Sequence, residues 1–432
     1  MIVAILVFAV LLCIGMPIAI ALGMFGVAHI AMMGNASYFG IIIGRMFNAV
    51  NIISISCIPF FIMAGEIMNG GGITKRLLEF LRSFLGHVRG GLAYCTIALS
   101  AILAAILGSA QANAALLNQI LPGELEKDGY PRSFSGALIS GASVLGPIIP
   151  PSTMFIFYCY LTEVSIKYMF IAGIIPGVIL ALAYCITVFI TTRKNGKIGK
   201  NIKKPEGRFS WKQFLLSFVK AIPALLVPTI IIGGVLTGFC TAVEAGAVAV
   251  VAAFIASLIY RELNFKKIPE MMFRSAISTG AIFMIIAFGN LLAWTMAKDN
   301  IPTKIISAIT SLTTNKYLII LLILFILVLV GCVLDMSSAT LIFIPVMFPL
   351  IQAIGMDVVH FGIIFSLMIT IGMITPPVGQ VLFITCNVSG VGFKPLVKNI
   401  WPFVIASFAT TFILAYLPDV VLLLPKVFGY TS

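Results

Sequence analysis

The sequence predicts an all-α polytopic membrane protein, an inverted-topology repeat with two re-entrant helical hairpins and two broken helices. Three observations predict it. Of 432 residues, 61% are hydrophobic and 9% charged, against about 45–50% and about 25% in soluble domains, so lipid is the solvent for most of the chain. Basic residues gather in a few loops between apolar runs. Glycine- and proline-broken segments recur in the same order in both halves.

A crossing of roughly 30 Å of hydrocarbon needs about 20 apolar residues. Runs that meet this are 2–33, 40–69, 134–161, 168–192, 214–238, 242–260, 275–297, 361–390 and 396–424. The first run lacks a basic leader and a small-residue cleavage pattern, so a retained span is expected rather than a cleaved signal peptide. Two further pieces, about 91–121 and 317–350, break near the middle and read as hairpins that add no crossing.

Orientation follows from the loops. Arg193–Lys212 carries eight basic residues against Glu206, and placing it in the cytoplasm also puts Lys75–Arg89, Lys127–Arg132, Arg261–Arg274 and Lys394–Lys398 there. With Lys220, 21 of the 27 Lys and Arg residues then lie on that side, all except Arg45, Lys167, Lys298, Lys304, Lys316 and Lys426. This positive-inside pattern explains the net charge of +13 without nucleic acid. It predicts a cytoplasmic N-terminus and a periplasmic C-terminus.

The chain also aligns with itself. Gly108–Pro122 matches Gly331–Pro345. After a three-residue loop difference, Gly146–Pro151 (GPIIPP) matches Gly372–Pro377 (GMITPP), and Pro176 falls opposite Pro402. Met68 and Ile73 fall opposite Met296 and Ile301. The basic loop and one extra span between the halves make the second half enter from the opposite face. The expected organisation is a first repeat at 1–192 (hairpin 91–121, broken helix 134–161), a basic loop and linking helix at 193–240, and a second repeat at 241–432 (hairpin 317–350, broken helix 361–390).

Broken backbone survives at membrane depth only where it is buried in protein or lines a cavity. Prolines in the two broken helices free carbonyls; freed carbonyls suit Na⁺ and half-helix N-termini suit a carboxylate. The hairpin tips Gly108-Ser109-Ala110-Gln111-Ala112-Asn113 and Gly331–Ser338 place amides, hydroxyls and Asp335 at a depth where polar groups need partners. Small-residue packing accounts for the glycines and serines but not for Asp335. Glu66 is expected at the cytoplasmic interface or in a cap. His29 and His360 read as structural, and the eight cysteines as small apolar core residues. There is no nucleotide-binding, zinc-hydrolase or nucleophile-elbow motif, so the chain is not expected to be an enzyme.

At these residues the sequence resembles the large membrane subunit of tripartite ATP-independent periplasmic (TRAP) transporters, the DctM-like family. The likeness covers essentially the whole chain. Its most specific pieces are Ile58–Asn69 (IPFFIMAGEIMN), Gly86-His87 with Arg89-Gly90-Gly91, Gly146–Ser152 (GPIIPPS), Ala172–Gly177 (AGIIPG), Glu244–Ala247 (EAGA) and Ile374–Gly379 (ITPPVG). The resemblance implies a Na⁺-coupled, elevator-type importer of organic acids in the bacterial inner membrane. Its implied partners are a small four-helix membrane subunit and a periplasmic binding protein, and it uses no cofactor beyond the coupling ion. It places Na⁺ and substrate at the tips and facing breaks, which carries over to Ser109, Gly146, Pro150, Gly331, Asp335, Gly372 and Thr375. With Gly108 and Asn113 of the first tip these are the candidate Na⁺ ligands. Ser109, Gln111, Ser152, Ser337, Ser338, Thr375 and Pro377 are the candidate substrate contacts. One departure is Ala112-Asn113, where the family's first tip reads Ala-Asp. A standalone Na⁺/carboxylate symporter is the alternative reading, and a channel a third.

Overall fold

The computed structural model describes residues 7, 8, 10, 11, 14–34, 36–193, 198, 202, 209–300, 303, 304, 307, 311, 313 and 315–431. Lys194, Lys197, Lys200, Lys203, Lys204, Arg208, Cys13 and Ile301 lie outside the described residues, as does part of the first run. Among the described residues the regular structure is entirely helical. Seven helices among the described residues are long and apolar enough to cross a membrane.

Nineteen helices are used below. In order they are α1 (Ile18–Met32), α2 (Ile41–Val50), α3 (Cys57–Gly70), α4 (Ile73–Leu85), α5 (Gly91–Leu107), α6 (Ala110–Ile120), α7 (Pro122–Lys127), α8 (Arg132–Ser143), α9 (Thr153–Thr162) and α10 (Ile166–Thr191). They continue as α11 (Trp211–Thr237), α12 (Ala242–Ile259), α13 (Ile268–Lys298), α14 (Lys316–Val333), α15 (Met336–Ala353), α16 (Val358–Gly372), α17 (Gln380–Ser389), α18 (Phe393–Tyr416) and α19 (Pro418–Val427).

Three sequence-predicted crossings divide. In the run 2–33 the chain turns at Ile14-Gly15, and α1 begins only after Pro17. The run 40–69 splits into α2 and α3, because the chain leaves the helix at Asn51 and turns extended at Ile52. Pro59 then sits in the first turn of α3, where its missing N–H would be unpaired in any case. The run 396–424 ends α18 at Tyr416. Pro418 disfavours helical geometry at Leu417, whose φ is −121°, and itself opens α19.

The internal register also needs correction. The sequence alignment matched Gly108 with Gly331, but the turn of the second hairpin falls at Leu334-Asp335. Asp335 follows Ser109 by 226 residues, the same interval that separates Gly372 from Gly146 and Pro402 from Pro176. No loop difference is required. The counterpart of Asp335 is Ser109, and each caps the second limb of its hairpin.

The helices pack in two groups. One holds α1–α4 with α11–α13, joined by contacts of α3 with α12, α1, α2 and α3 with α13, and α11 with α4 and α12. The other holds α5–α10 with α14–α19. Inside it the first hairpin limb packs on its own broken helix (α5 on α8, α14 on α16), while the second limb packs on the other half's (α6 on α17, α15 on α9). The groups meet along α13 against α15, and along α3 and α4 against α5. Exposed Leu215, Leu226, Phe325, Ile405 and Phe412 form outer surfaces suited to lipid. Cys57, Cys95, Cys159 and Cys332 are buried, and Cys185, Cys240 and Cys386 half-buried.

Loop contacts collect at two ends. Arg76–Glu262 (2.6 Å), Arg82–Glu124 (2.8 Å) and Arg132–Glu126 (3.3 Å) mark the end that carries the basic loops. Lys316 on Gly355 O (2.8 Å), Tyr430 on Asp357 (2.9 Å) and His29 beside Asp299 (2.7 Å) mark the other. His360 is buried and placed by the carbonyl of Leu414 at 2.9 Å.

At the basic end, the hydrogen bond from Lys127, and then that from Arg82, hold the Glu124 carboxyl below the usual carboxylate range against partial desolvation. A depressed carboxylate stabilises the fold above its unfolded pKa, and that contribution is lost as pH falls through the folded value. Glu124→Gln is therefore expected to lower the thermal midpoint in detergent slightly at neutral pH, and to flatten its fall below about pH 4.5, where the parent loses the same contribution. A variant whose acid limb matches the parent's would refute the assignment.

Candidate functional site

The first tip is built by a left-handed glycine and a capping serine. Gly108 has φ +56°, which a residue with a Cβ adopts only at a cost. Ser109 is extended and caps α6, its hydroxyl accepting from Ala112 N at 3.5 Å. The tip lies against both sides of the first break. Thr153 Oγ1 donates to Gly108 O at 3.0 Å, and a Cβ on Gly146 would stand 2.8 Å from Ser109 O. Ser152 caps α9 and donates to Pro147 O at 2.6 Å, which ties the break to itself. Pro150 is buried within that break.

At the second tip, Asp335 caps α15. Its carboxylate accepts from Ser337 N (2.9 Å), Ser338 N (3.3 Å) and Ser338 Oγ (2.5 Å). A negative cap also complements the helix dipole. A Cβ on Gly372 would stand 2.5 Å from Gly331 C and 2.7 Å from Cys332 N. Backbone therefore touches backbone. Gly379 N donates to Cys332 O (3.3 Å), and Thr375 Oγ1 donates to Ile371 O (2.7 Å) within its own helix end.

A side-chain bridge joins the tips. Gln111 Nε2 donates to Gln380 Oε1 at 2.8 Å, and Gln380 Nε2 donates to Val333 O at 3.1 Å. Both tips border a cavity of about 500 Å³. On one side stand Ser109, Gln111, Thr153, Asp335 and Ser337; on the other stand Glu66 of α3 with Arg274 and Ser278 of α13. The cavity thus separates the two packing groups. A smaller pocket of about 170 Å³ shares Glu66, Asn69 and Arg274 with it and reaches Lys267 at the basic end.

Of the sequence-predicted residues, Ser109, Gln111, Asp335 and Ser337 reach this cavity, while Gly108, Gly146, Gly331 and Gly372 form the tip-to-break contacts behind it. Ser152, Ser338 and Thr375 spend their hydroxyls on local bonds, and Pro377 is exposed away from the cavity. Asn113 turns into its hairpin, donating to Ser100 O (3.2 Å) and Oγ (2.9 Å), and its Oδ1 is buried without a hydrogen-bond partner. Glu66, expected at the cytoplasmic interface or in a cap, lines both the cavity and the small pocket that reaches the basic end.

Sequence reasoning missed Thr153, Gln380 and Arg274. Gln380 carried a usable signal, as a polar residue opening an apolar helix directly after a proline break. Arg274 also carried one: Arg274, Ser278, Ile282 and Ile285 recur at helical spacing and all line the cavity. Assigning Arg274 to a loop hid the stripe.

Comparison with known proteins agrees with this architecture. The chain matches the family described as "Tripartite ATP-independent periplasmic transporter, DctM component" over residues 5–420. It is 33% identical over 386 residues to the C4-dicarboxylate TRAP transporter large permease protein DctM of Pseudomonas aeruginosa, covering 89% of each chain. It is 29% identical over 422 residues to the sialic acid TRAP transporter large permease protein SiaM of Vibrio cholerae, covering 97% of each. Among solved structures, the YdaH transporter of Alcanivorax borkumensis has the same fold, with a TM-score of 0.63 at 12% identity, over 89% of this chain and 88% of that one. A multi-pass helical chain whose paired tips and breaks surround one cavity, matched to this family over nearly its whole length, belongs to the DctM component family of TRAP transporters and is a transporter permease rather than an enzyme.

Proposed function

We propose that the chain is the translocating subunit of a Na⁺-coupled TRAP importer in the bacterial inner membrane. It takes an organic acid from a periplasmic binding protein and works with a small four-helix membrane subunit. The basic end is cytoplasmic and the two halves form an inverted repeat. The observation that carries this reading is the cavity itself, which lies where both tips of the α5–α10/α14–α19 group face the α1–α4/α11–α13 group. Such a seam suits an elevator, in which the first group carries its contents past the second.

The residues fit Na⁺. Helix breaks packed too closely for a Cβ bring the Ser109 carbonyl against Gly146 and the Gly331 backbone against Gly372, Asp335 adds a carboxylate, and Asn113 Oδ1 is an unsatisfied buried acceptor. Carbonyl, hydroxyl and carboxylate oxygens are the donors a hard cation takes. Among the described residues no group of three or more His, Cys, Asp and Glu is placed to hold a metal ion. The N-termini of α6 and α15 at the tips favour an anion.

The test is uptake into proteoliposomes holding this chain and its small subunit, with and without the binding protein, under an imposed Na⁺ gradient. Labelled succinate, sialic acid and gluconate are the probes. Accumulation of at least one acid above equilibrium, dependent on both Na⁺ and the binding protein, is expected. Accumulation without the binding protein would mean a standalone symporter. Flux that never exceeds equilibrium would mean a channel.

A further inference from the structure

We propose that Arg274 is the scaffold-side ligand for the substrate's oxyanion when the cavity faces the cytoplasm, and that Glu270 competes for it. The proposal rests on the organic-acid reading above and names a residue of that same cavity.

Among the described residues lining the cavity, Arg274 is the one Lys or Arg side chain. The acidic lining residues are Glu66 and Asp335, and Asp335 is engaged by two backbone N–H groups and the Ser338 hydroxyl. An anion there meets helix N-termini on the tip wall and a guanidinium on the α13 wall. The fork of N–H donors on Arg reads a carboxylate in two-point fashion, which a lysine ammonium does not.

Arg274 is free to take that role. Its side chain is 64% exposed, and Nη2 donates to Glu270 Oε1 at 2.6 Å, one turn earlier on the same helix. An exposed i,i+4 pair of this kind is weak, and it leaves other guanidinium donors open. An arginine serving only lipid headgroups would face outward with Phe273, Ile277 and Met284, the exposed stripe of α13. Arg274 instead lies on the cavity stripe with Ser278 and Ile282.

Its position gives the contact a direction. Arg274 borders both the large cavity and the small pocket that reaches Lys267, so it stands between the tips and the cytoplasm. It belongs to α13, in the group that stays behind when the tips move. A ligand that touches Arg274 can do so only while the tips face this wall, so the contact biases the inward-facing state.

The experiment measures exchange from the cytoplasmic face of oriented proteoliposomes, using whichever acid of the panel the parent protein accumulates. Arg274→Gln should raise the half-saturating acid concentration about tenfold while the Na⁺ half-saturation stays unchanged. Arg274→Lys should fall between. Glu270→Gln, which frees the guanidinium, should lower the half-saturating concentration below the parent's, and the double variant should match Arg274→Gln. A structural role alone gives no such opposition of sign. Unchanged exchange in Arg274→Gln, or equal shifts in the same direction for Arg274→Gln and Glu270→Gln, overturns the proposal while leaving the importer reading intact. A parent protein that accumulates none of the acids overturns the importer reading, and this proposal with it.

Discussion

Asp335→Ala is expected to cut Na⁺-driven accumulation by about 100-fold while the protein still folds. The two effects separate by magnitude. Removing an N-cap costs about 0.5–2 kcal/mol, a minor part of a typical stability of about 5–15 kcal/mol. What transport loses is larger, because the tips then hold no carboxylate: the counterpart at the first tip is Ser109, and Asn113 faces Ser100. Asp335→Asn isolates the charge. It retains an acceptor for Ser337 N and Ser338 N, so its thermal midpoint in detergent should stay close to the parent's. Its half-saturating Na⁺ concentration should rise about tenfold or more, equivalent to about 1.4 kcal/mol of lost ion binding. Near-parental uptake in both variants would remove Asp335 from the proposed Na⁺ site.

Gly372→Ala carries the second large effect, and its cause is steric. The new methyl would stand 2.5 Å from Gly331 C and 2.6 Å from Gly331 Cα, where ordinary carbon contacts are about 3.5–4.0 Å. Both partners are backbone, so no side chain can swing away. The second hairpin must move off α16 by about 1 Å, an overpacking that costs about 1–3 kcal/mol and opens the tip-to-break contact. Uptake should fall about 100-fold, as small misplacements at a working site do, with a lower thermal midpoint. Gly146→Ala should be milder, since its Cβ would stand 2.8 Å from Ser109 O. Gly233→Ala in α11 has nothing within 4 Å of its Cβ and serves as the neutral control. If Gly372→Ala and Gly233→Ala transport alike, close approach at this break is irrelevant to function.

Much of the fold was legible because lipid imposes simple rules. Long apolar runs had to be helices, and the glycine and proline clusters at Gly146–Pro151 and Gly372–Pro377 had to interrupt them. The helices α8 and α16 end, and α9 and α17 begin, on either side of these clusters. The first hairpin was legible in its limbs but not in its register. In a low-complexity apolar stretch, matching residue types pairs Gly108 with Gly331 and passes over Ser109 and Asp335. The caps decide between them, and a cap is a backbone conformation before it is a residue type. The division of 40–69 into α2 and α3 was hidden for a similar reason, because its hydropathy continues unbroken through Asn51.

The sequence by itself determined the class of protein, the order of its helices, the location of the two breaks and a carboxylate at one tip, since each is set by local composition along the chain. Only the tertiary structure decided which walls face each other. That Gln111 reaches Gln380, that α6 packs on α17 and α15 on α9, and that Glu66 and Arg274 stand across a cavity from Asp335 all depend on packing between residues far apart in the chain. The periodicity of one helix shows a polar face; it carries no information about which other helix completes the site.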